Sequence, residues 1–468
     1  MPRASQLRCS EIVKATGGRL LQGDPETPFA GLSTDTRTIR RGEVFLALKG
    51  EHFDGHTFVP EAVKKGAAGA IVQNGGLTQA ITETAMSVPL IAVSETLRTL
   101  GDIARYWRDK FSVPLIGITG SNGKTSTKEL IAFFLEGRFC VLKSPGNYNN
   151  LVGVPLTLLD LERVHDVAIV EMGTNRPGEI RRLSEIARPT VGIITNIGQA
   201  HLEGMGTMDT LVREKGALFR AVEPGGVLVV NKNDPHVSSL AHGSTAKVIR
   251  YGVNTDADVM ISHVQCRGAR GLTFRLAIAS EETSIDVPFV GLQFVDNLAA
   301  AAAVVSLFEI GVKDIQNRLK DFTPLPMRME IISIRGVNFI NDAYNANPPS
   351  VKKALETLAH IEPTGRAFVV LGDMLELGET SQKAHRSVGE LMGTLNLAGS
   401  FLLGHHVTDV ARGAVQQGMS RDRIWIGRNH RDIVNLLKAH INAGDWILVK
   451  GSRGMHMEAV IEIFGEEV

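Results

Sequence analysis

The chain has 468 residues, 43% apolar and 21% charged, with 50 Lys plus Arg balanced by 50 Asp plus Glu. At about 100–200 residues per domain this predicts about three domains with ample cores, and the balanced charge leaves no basic field to draw nucleic acid or a membrane surface. Cys9, Cys140 and Cys266 are far apart and in no Cys-x-x-Cys spacing. That argues against a disulfide framework or a zinc site and for a reducing cytosol; with no apolar core of signal-peptide length and no run of about 20 apolar residues, a soluble cytoplasmic protein is expected.

Ser33, Thr34, Asp35, Thr36 and Arg37 form a polar turn ahead of an apolar segment at 42–50. A first boundary is expected near Val93, before a helix at 97–110, and a second at the Pro-flanked linker 323–326. Between them, short apolar runs at 114–119, 167–171, 191–196 and 227–231 alternate with helical patterns at 124–136, 211–219 and 297–310. Beyond the linker, runs at 337–340, 367–372 and 446–450 each end in a polar loop. Continuous apolar runs of this length read as buried parallel strands, so the fold class is α/β with largely parallel sheets.

The strongest motif joins the run at 114–119 to the next helix: Gly117, Ile118, Thr119, Gly120, Ser121, Asn122, Gly123, Lys124 and Thr125. Glycines let backbone N–H groups approach phosphates, the helix N-terminus adds partial positive charge, Lys124 reaches the β/γ-phosphates and the Thr125 hydroxyl suits Mg²⁺. The general G-x-x-x-x-G-K-[ST] pattern requires a glycine where Ile118 stands; here Gly120 precedes Gly123 by three positions. Glu171 closes the run at 167–171, where a carboxylate would share the ligand edge of an open α/β sheet with this loop. His201 follows the run at 191–196; Mg²⁺ prefers oxygen, so chemistry alone favours a loop histidine making one hydrogen bond over a metal ligand. Asn149 and Asn150 form a polar turn, and Lys215 on its helix reads by itself as a solvated side chain.

The shortened G-x-x-G-K-[ST] loop resembles that of the Mur ligase family, which builds the peptide of bacterial peptidoglycan, and the resemblance runs through ordered motifs along nearly the whole chain. It implies three domains: a small α/β N-terminal domain binding a UDP-sugar (1–93), a central P-loop parallel-sheet ATPase domain (94–327) and a Rossmann-like C-terminal domain (328–468) for the incoming amine. It implies ATP contacts from Thr119 through Thr125 and from Asn297, Arg328 and Asp342. It also implies metal contacts from Thr125, Glu171, His201 and a carbamylated Lys215, and catalytic roles for Lys124, His201 and Lys215. Ser33, Asp35, Arg37, Asn149, Asn150, Asn345 and Asn347 become substrate contacts.

The loops 341–348, 371–378 and 450–453 are similar to those of the D-alanyl-D-alanine-adding branch; the Asp-Tyr-Ala-His and Asp-Asn-Pro-Arg motifs of the diamino-acid-adding branch are absent. The implied activity is ATP-dependent ligation with Mg²⁺ of D-alanyl-D-alanine to UDP-N-acetylmuramoyl-tripeptide through an acyl phosphate, by a monomer acting without nucleic acid or membrane. The rival readings are a ligase taking another amine, of the diamino-acid-adding or folylpolyglutamate type, and a nucleotide-dependent switch. The chain departs from the family at Asn341, where Asp is commoner, and at Gln293 and Phe294, where His-Asn is common.

Overall fold

The computed structural model describes residues 7–50, 53–76, 78–84, 87–198, 202–361 and 365–466. Among them the strands form sheets of five, nine and six, plus one two-stranded ladder. In the nine-stranded sheet, Leu115–Thr119 lies between Val167–Glu171 and Val191–Ile194, parallel to both. The order of strands reverses here, and such a switch point opens a crevice at the carboxyl ends of the strands. The phosphate loop and Glu171 both emerge on that edge.

The central strands alternate their side chains between two cores. Ala168 and Val170 face one, shared with Leu100, Ile103 and Trp107 of the helix Thr96–Arg108. Val167 and Ile169 face the other, shared with Leu130, Phe134 and the alanine-rich helix Leu292–Val305. Burial on both faces is why these strands are apolar throughout.

Two sequence expectations shift. The helix expected at 297–310 is Leu292–Val305, because Gly291, at φ +111°, starts it five residues earlier, and the chain then tightens into a 3₁₀ turn at Ser306–Phe308. The sheet is also extended by strands the sequence reading passed over. Val259–Cys266, Leu272–Ile278 and Glu281–Val287 pair antiparallel and alternate, with Phe274, Leu276, Ile285 and Val287 facing the core. A half-solvated antiparallel edge has no continuous apolar run to betray it.

In the six-stranded sheet, Trp446–Lys450 lies parallel between Val337–Asn341 and Ala367–Gly372, so the loops after 341, 372 and 450 share one edge. That edge faces the phosphate loop. Asn347 Nδ2 donates to Asn122 Oδ1 at 2.7 Å, and the Glu203 N–H donates to the Glu376 carbonyl at 3.3 Å. No helix among the described residues is long and apolar enough to cross a membrane.

Candidate active site

A cavity of about 540 Å³ lies between the nine- and six-stranded sheets. Ser121 through Thr125, Glu171, Asn297, Arg328, Asp342 and Asn345 line it. The loop is held open from below. Ser121 Oγ donates to the Gly198 carbonyl at 2.9 Å, Asn122 N–H donates to Asn196 Oδ1 at 2.9 Å, and Thr195 Oγ1 donates to the Asn122 carbonyl at 2.6 Å. Thr119 lies underneath, its hydroxyl spent on the Met172 carbonyl at 2.8 Å. Gly120 has φ +150°, and a Cβ there would sit 1.9 Å from Thr195 Oγ1. Gly123 has φ +81°, and a Cβ there would sit 2.2 Å from Asn297 Oδ1. Both glycines are therefore fixed by backbone conformation and by contact.

Two lysines converge on one carbonyl. Lys124 Nζ donates to the Gly120 oxygen at 2.9 Å, and the buried Lys215 Nζ donates to the same oxygen at 3.0 Å. Loss of water pushes the Lys215 ammonium well below the ordinary lysine range, and the Lys124 charge pushes it further. Lys124 is also lowered by desolvation, with Glu171 opposing and Arg328 adding to the shift. Lys215, read from sequence as a solvated side chain, is 2% exposed: its helix, Met208–Ala221, turns that face under the loop.

Glu171 is 1% exposed. Its Oε1 accepts from Asn149 Nδ2 at 2.9 Å, while Oε2 is buried without a hydrogen-bond partner. A buried carboxylate oxygen left bare is costly unless a cation meets it, and with the Thr125 hydroxyl it offers the hard oxygen donors that Mg²⁺ takes. Among the described residues no three His, Cys, Asp or Glu side chains gather into a metal cage. Hydroxyl, carbonyl, phosphate and water oxygens, or a modified Lys215, are further donors suited to such an ion. His201 lies outside the described residues.

The six-stranded sheet supplies the far wall. Lys450 Nζ donates to Asp342 Oδ2 at 2.5 Å and to the Asn345 carbonyl at 2.9 Å. The Arg328 guanidinium stacks on the Tyr344 ring, 4.1 Å from its centre. Asn347 Oδ1 accepts the Ser350 N–H at 3.0 Å, capping the helix Pro348–His360, so with Asn122 on Nδ2 its amide is engaged on both sides. Asn345 Oδ1 accepts the Ala346 N–H at 2.9 Å. Asp373, at the end of the next strand, accepts the N–H groups of His405 and His406 at 2.6 and 3.1 Å and holds that loop rather than facing the cavity.

A second cavity, also of about 540 Å³, opens between the five-stranded sheet and the segment 147–160. Ser33, Asp35, Asn150, Trp107 and Tyr148 line it, and Asn147 lines both cavities. Arg37 is not part of this lining. Its guanidinium grips Asp35 bidentately, at 3.0 Å from Nε to Oδ1 and 2.6 Å from Nη2 to Oδ2, and this hydrogen bonding lowers the Asp35 carboxyl to about 2. The guanidinium of Arg37, implied by the resemblance as a substrate contact, is thus engaged within its own turn. Asn150 caps the following turn, accepting the Gly153 N–H at 2.8 Å.

Three family models match this chain: Mur ligase family, catalytic domain, over residues 28–108; Mur ligase middle domain over 118–305; and Mur ligase, glutamate ligase domain, over 327–453. A Bacillus subtilis relative, UDP-N-acetylmuramoyl-tripeptide--D-alanyl-D-alanine ligase, is 32% identical over 438 residues, 93% of each chain. The chain belongs to the Mur ligase family. The Haemophilus influenzae relative of the same name is 31% identical over 98% of each chain. Among solved structures, MurF from Acinetobacter baumannii superposes with a TM-score of 0.90 at 29% identity over 100% of both chains. MurF ligase from Thermotoga maritima in complex with ADP gives 0.81 at 26% identity, over 93% of this chain and 97% of that one.

Within this Mur ligase, sequence reasoning passed over the residues that hold the site residues in place. Asn147 carries no motif of its own, and Tyr344 lies inside the 341–348 loop without a role of its own having been read for it. Lys450 figured only as part of a strand-end loop, yet a lone basic residue closing an apolar strand was the available signal. The tightest constraint yields a prediction. Gly120→Ala combines a backbone conformation that L-residues avoid with a clash on Thr195, and should cost about 2–4 kcal/mol. Chemical denaturation would read this as a lowered midpoint; an unchanged midpoint would show that the loop adapts.

Proposed function

We propose that this chain joins D-alanyl-D-alanine to UDP-N-acetylmuramoyl-tripeptide, with conversion of ATP to ADP and phosphate. The observation that carries the reading is the meeting of two cavities at the segment bearing Asn147 and Asn149. One is floored by a phosphate loop, the other lies against the N-terminal sheet, and Asn149 touches Glu171. A nucleotide in the first and a UDP-linked peptide in the second would bring a terminal carboxylate up to the last phosphoryl group. Residues 1–93 would bind the UDP-sugar through the lining that includes Ser33 and Asp35, residues 94–327 the ATP, and residues 328–468 the incoming dipeptide.

The chemistry runs in two steps. The carboxylate oxygen forms a bond to the γ-phosphorus as ADP leaves; the dipeptide amine then attacks the acyl carbon and phosphate departs, leaving an amide. Little covalent work falls to the protein, so its part is positioning and charge stabilisation. Backbone N–H groups of Ser121 to Thr125 cradle the phosphates, and Lys124, swinging from the Gly120 carbonyl, meets charge building on the transferred group. Arg328 and Asp342 face the nucleotide from the far wall, and Asn345 and Asn347 lie where the amine enters. Thr125 and Glu171, with Lys215 if carbamylated, would hold Mg²⁺, which when bound neutralises phosphate charge. On this reading the chain works as a monomer in the cytoplasm, where ATP and the UDP-linked substrate are dissolved.

The test is purified protein with ATP, the UDP-linked tripeptide and D-alanyl-D-alanine. We expect ADP and a pentapeptide product in equal amounts by mass spectrometry, and no product when a single diamino acid or glutamate replaces the dipeptide. Turnover only with a single amino acid would move the chain to another branch; ATP consumption with no joined product would leave a nucleotide switch.

A further inference from the structure

A turn at 144–150 runs between the two cavities. Asn147 lines both, Asn149 lines the one at the phosphate loop, and Tyr148 and Asn150 line the other. The turn is tied at its ends to the strand Val167–Glu171 and the loop after it. The Ser144 N–H donates to the Ile169 carbonyl at 3.0 Å, Ser144 Oγ accepts the Glu171 N–H at 3.2 Å, and the Asn149 carbonyl accepts the Gly173 N–H at 2.7 Å. Between these ends its own bonds are local: Tyr148 N–H to the Pro145 carbonyl, and Asn149 N–H to the Asn147 carbonyl. Among the described residues, the side chain that bonds the middle of the turn from outside is Lys128.

Lys128 lies four residues after Lys124 on Lys124–Leu135, the helix that begins in the phosphate loop. Its side chain is 0% exposed. An ammonium has three hydrogens to place, and three oxygens surround this one. The Ser144 carbonyl lies at 2.7 Å, the Gly146 carbonyl at 2.9 Å and Glu129 Oε1 at 3.0 Å. Glu129 takes Lys143 on its other oxygen at 2.9 Å and lines the nucleotide cavity. Burying a charge is costly even when it is paired, and an apolar side chain of similar length would fill the space at lower cost. What the ammonium adds is direction. It fixes two carbonyls of the turn against the helix that carries the phosphate loop.

We propose that Lys128 is a positioning residue for phosphoryl transfer, locking the turn at 144–150 to the phosphate-loop helix and so setting how the γ-phosphoryl group meets the carboxylate. The helix holds one reactant and the turn borders both, so slack between them shows as misalignment of the reacting atoms rather than as weaker binding of either. A misplacement of about 1 Å can cost about a hundredfold in rate. This rests on the reading that the two cavities hold ATP and the UDP-linked peptide.

The experiment compares the wild type with Lys128→Met, which keeps the stem and removes the ammonium, and with Gly146→Val, which leaves the lysine in place. Gly146 is exposed at φ +50°, with nothing within 4 Å of where a Cβ would be. Valine fits there without a clash, but a β-branched residue avoids that conformation, so the turn must re-form with its carbonyl moved. Steady-state ligation is measured with ATP, UDP-N-acetylmuramoyl-tripeptide and D-alanyl-D-alanine, and kcat is expressed per ATP-binding site counted by calorimetry. In both variants kcat should fall by about 10–100-fold, while KM for ATP and for the tripeptide stays within about threefold of the wild type. A merely structural lysine would lower the number of binding sites and leave the rate per site unchanged. A fall of less than about tenfold per site in either folded variant, or a loss carried by KM, would overturn the assignment. A wild type that makes no pentapeptide would sink the ligase reading and take the alignment role with it; a wild type that ligates beside unimpaired variants would sink the alignment role alone.

Discussion

Lys124→Ala is expected to lower the ligation rate by at least about a thousandfold, the upper range for removing one charge-stabilising donor from a transition state. The side chain sits at the first residue of the helix Lys124–Leu135, and its ammonium folds back on the Gly120 and Ser121 carbonyls at 2.9 and 3.4 Å. These are the partners of a resting group, and desolvation has already lowered its hold on the proton. A phosphoryl group bearing negative charge is a stronger partner, so the ammonium is drawn to it as charge builds, and the gain falls on the transition state rather than on the ground state. Nucleotide binding should weaken far less than turnover. Lys124→Arg should rescue little, since a planar fork cannot occupy the space of a compact ammonium inside the loop. Single-turnover rates with product detected by mass would decide it: an alanine variant within tenfold of the wild type would take the loop out of the chemistry.

The same loop shows what a sequence can reveal. Strands Val167–Glu171, Val227–Asn231, Ala367–Gly372 and Trp446–Lys450 have the ends expected of them, because burial on both faces forces a continuous apolar run that stops where the chain meets solvent. The antiparallel strands from 259 to 287 were not legible, since one wet face breaks the run into short alternations. The placement of Glu171 beside the phosphate loop was legible too, as a matter of which strand edge it closes. What it touches was not. The Asn149 contact, the Lys450–Asp342 pair and the capture of Arg37 by Asp35 depend on residues 22, 108 and 2 positions apart. The last was hidden for a different reason: a short polar turn can present its arginine outward or fold it onto its own carboxylate, and sequence does not choose.

Lys215→Met should be nearly as damaging as the loss of Lys124, by about 10²–10³ in rate, although Lys215 does not line the cavity. A buried cation 3.0 Å from a carbonyl that already serves Lys124 is an expensive arrangement. Its chemistry makes sense if the working residue is not a cation. A neutral amine attacks carbon dioxide, the Nζ–C bond forms and a proton leaves, so the ammonium becomes an anionic carbamate that Lys124 attracts instead of repels. Such an anion would join Glu171's bare oxygen among the groups that would hold Mg²⁺ and would supply it with negative charge. Methionine keeps the length and apolar stem without the amine, and arginine keeps a cation that cannot take up carbon dioxide, so both should fail while folding normally. Wild-type protein stripped of carbon dioxide should lose activity and regain it with bicarbonate, and ¹³C-labelled bicarbonate should place one carbamate carbon per chain. Full activity in rigorously carbon-dioxide-free buffer, with unmodified Lys215 by mass, would leave this lysine a structural support for the Gly120 turn and nothing more.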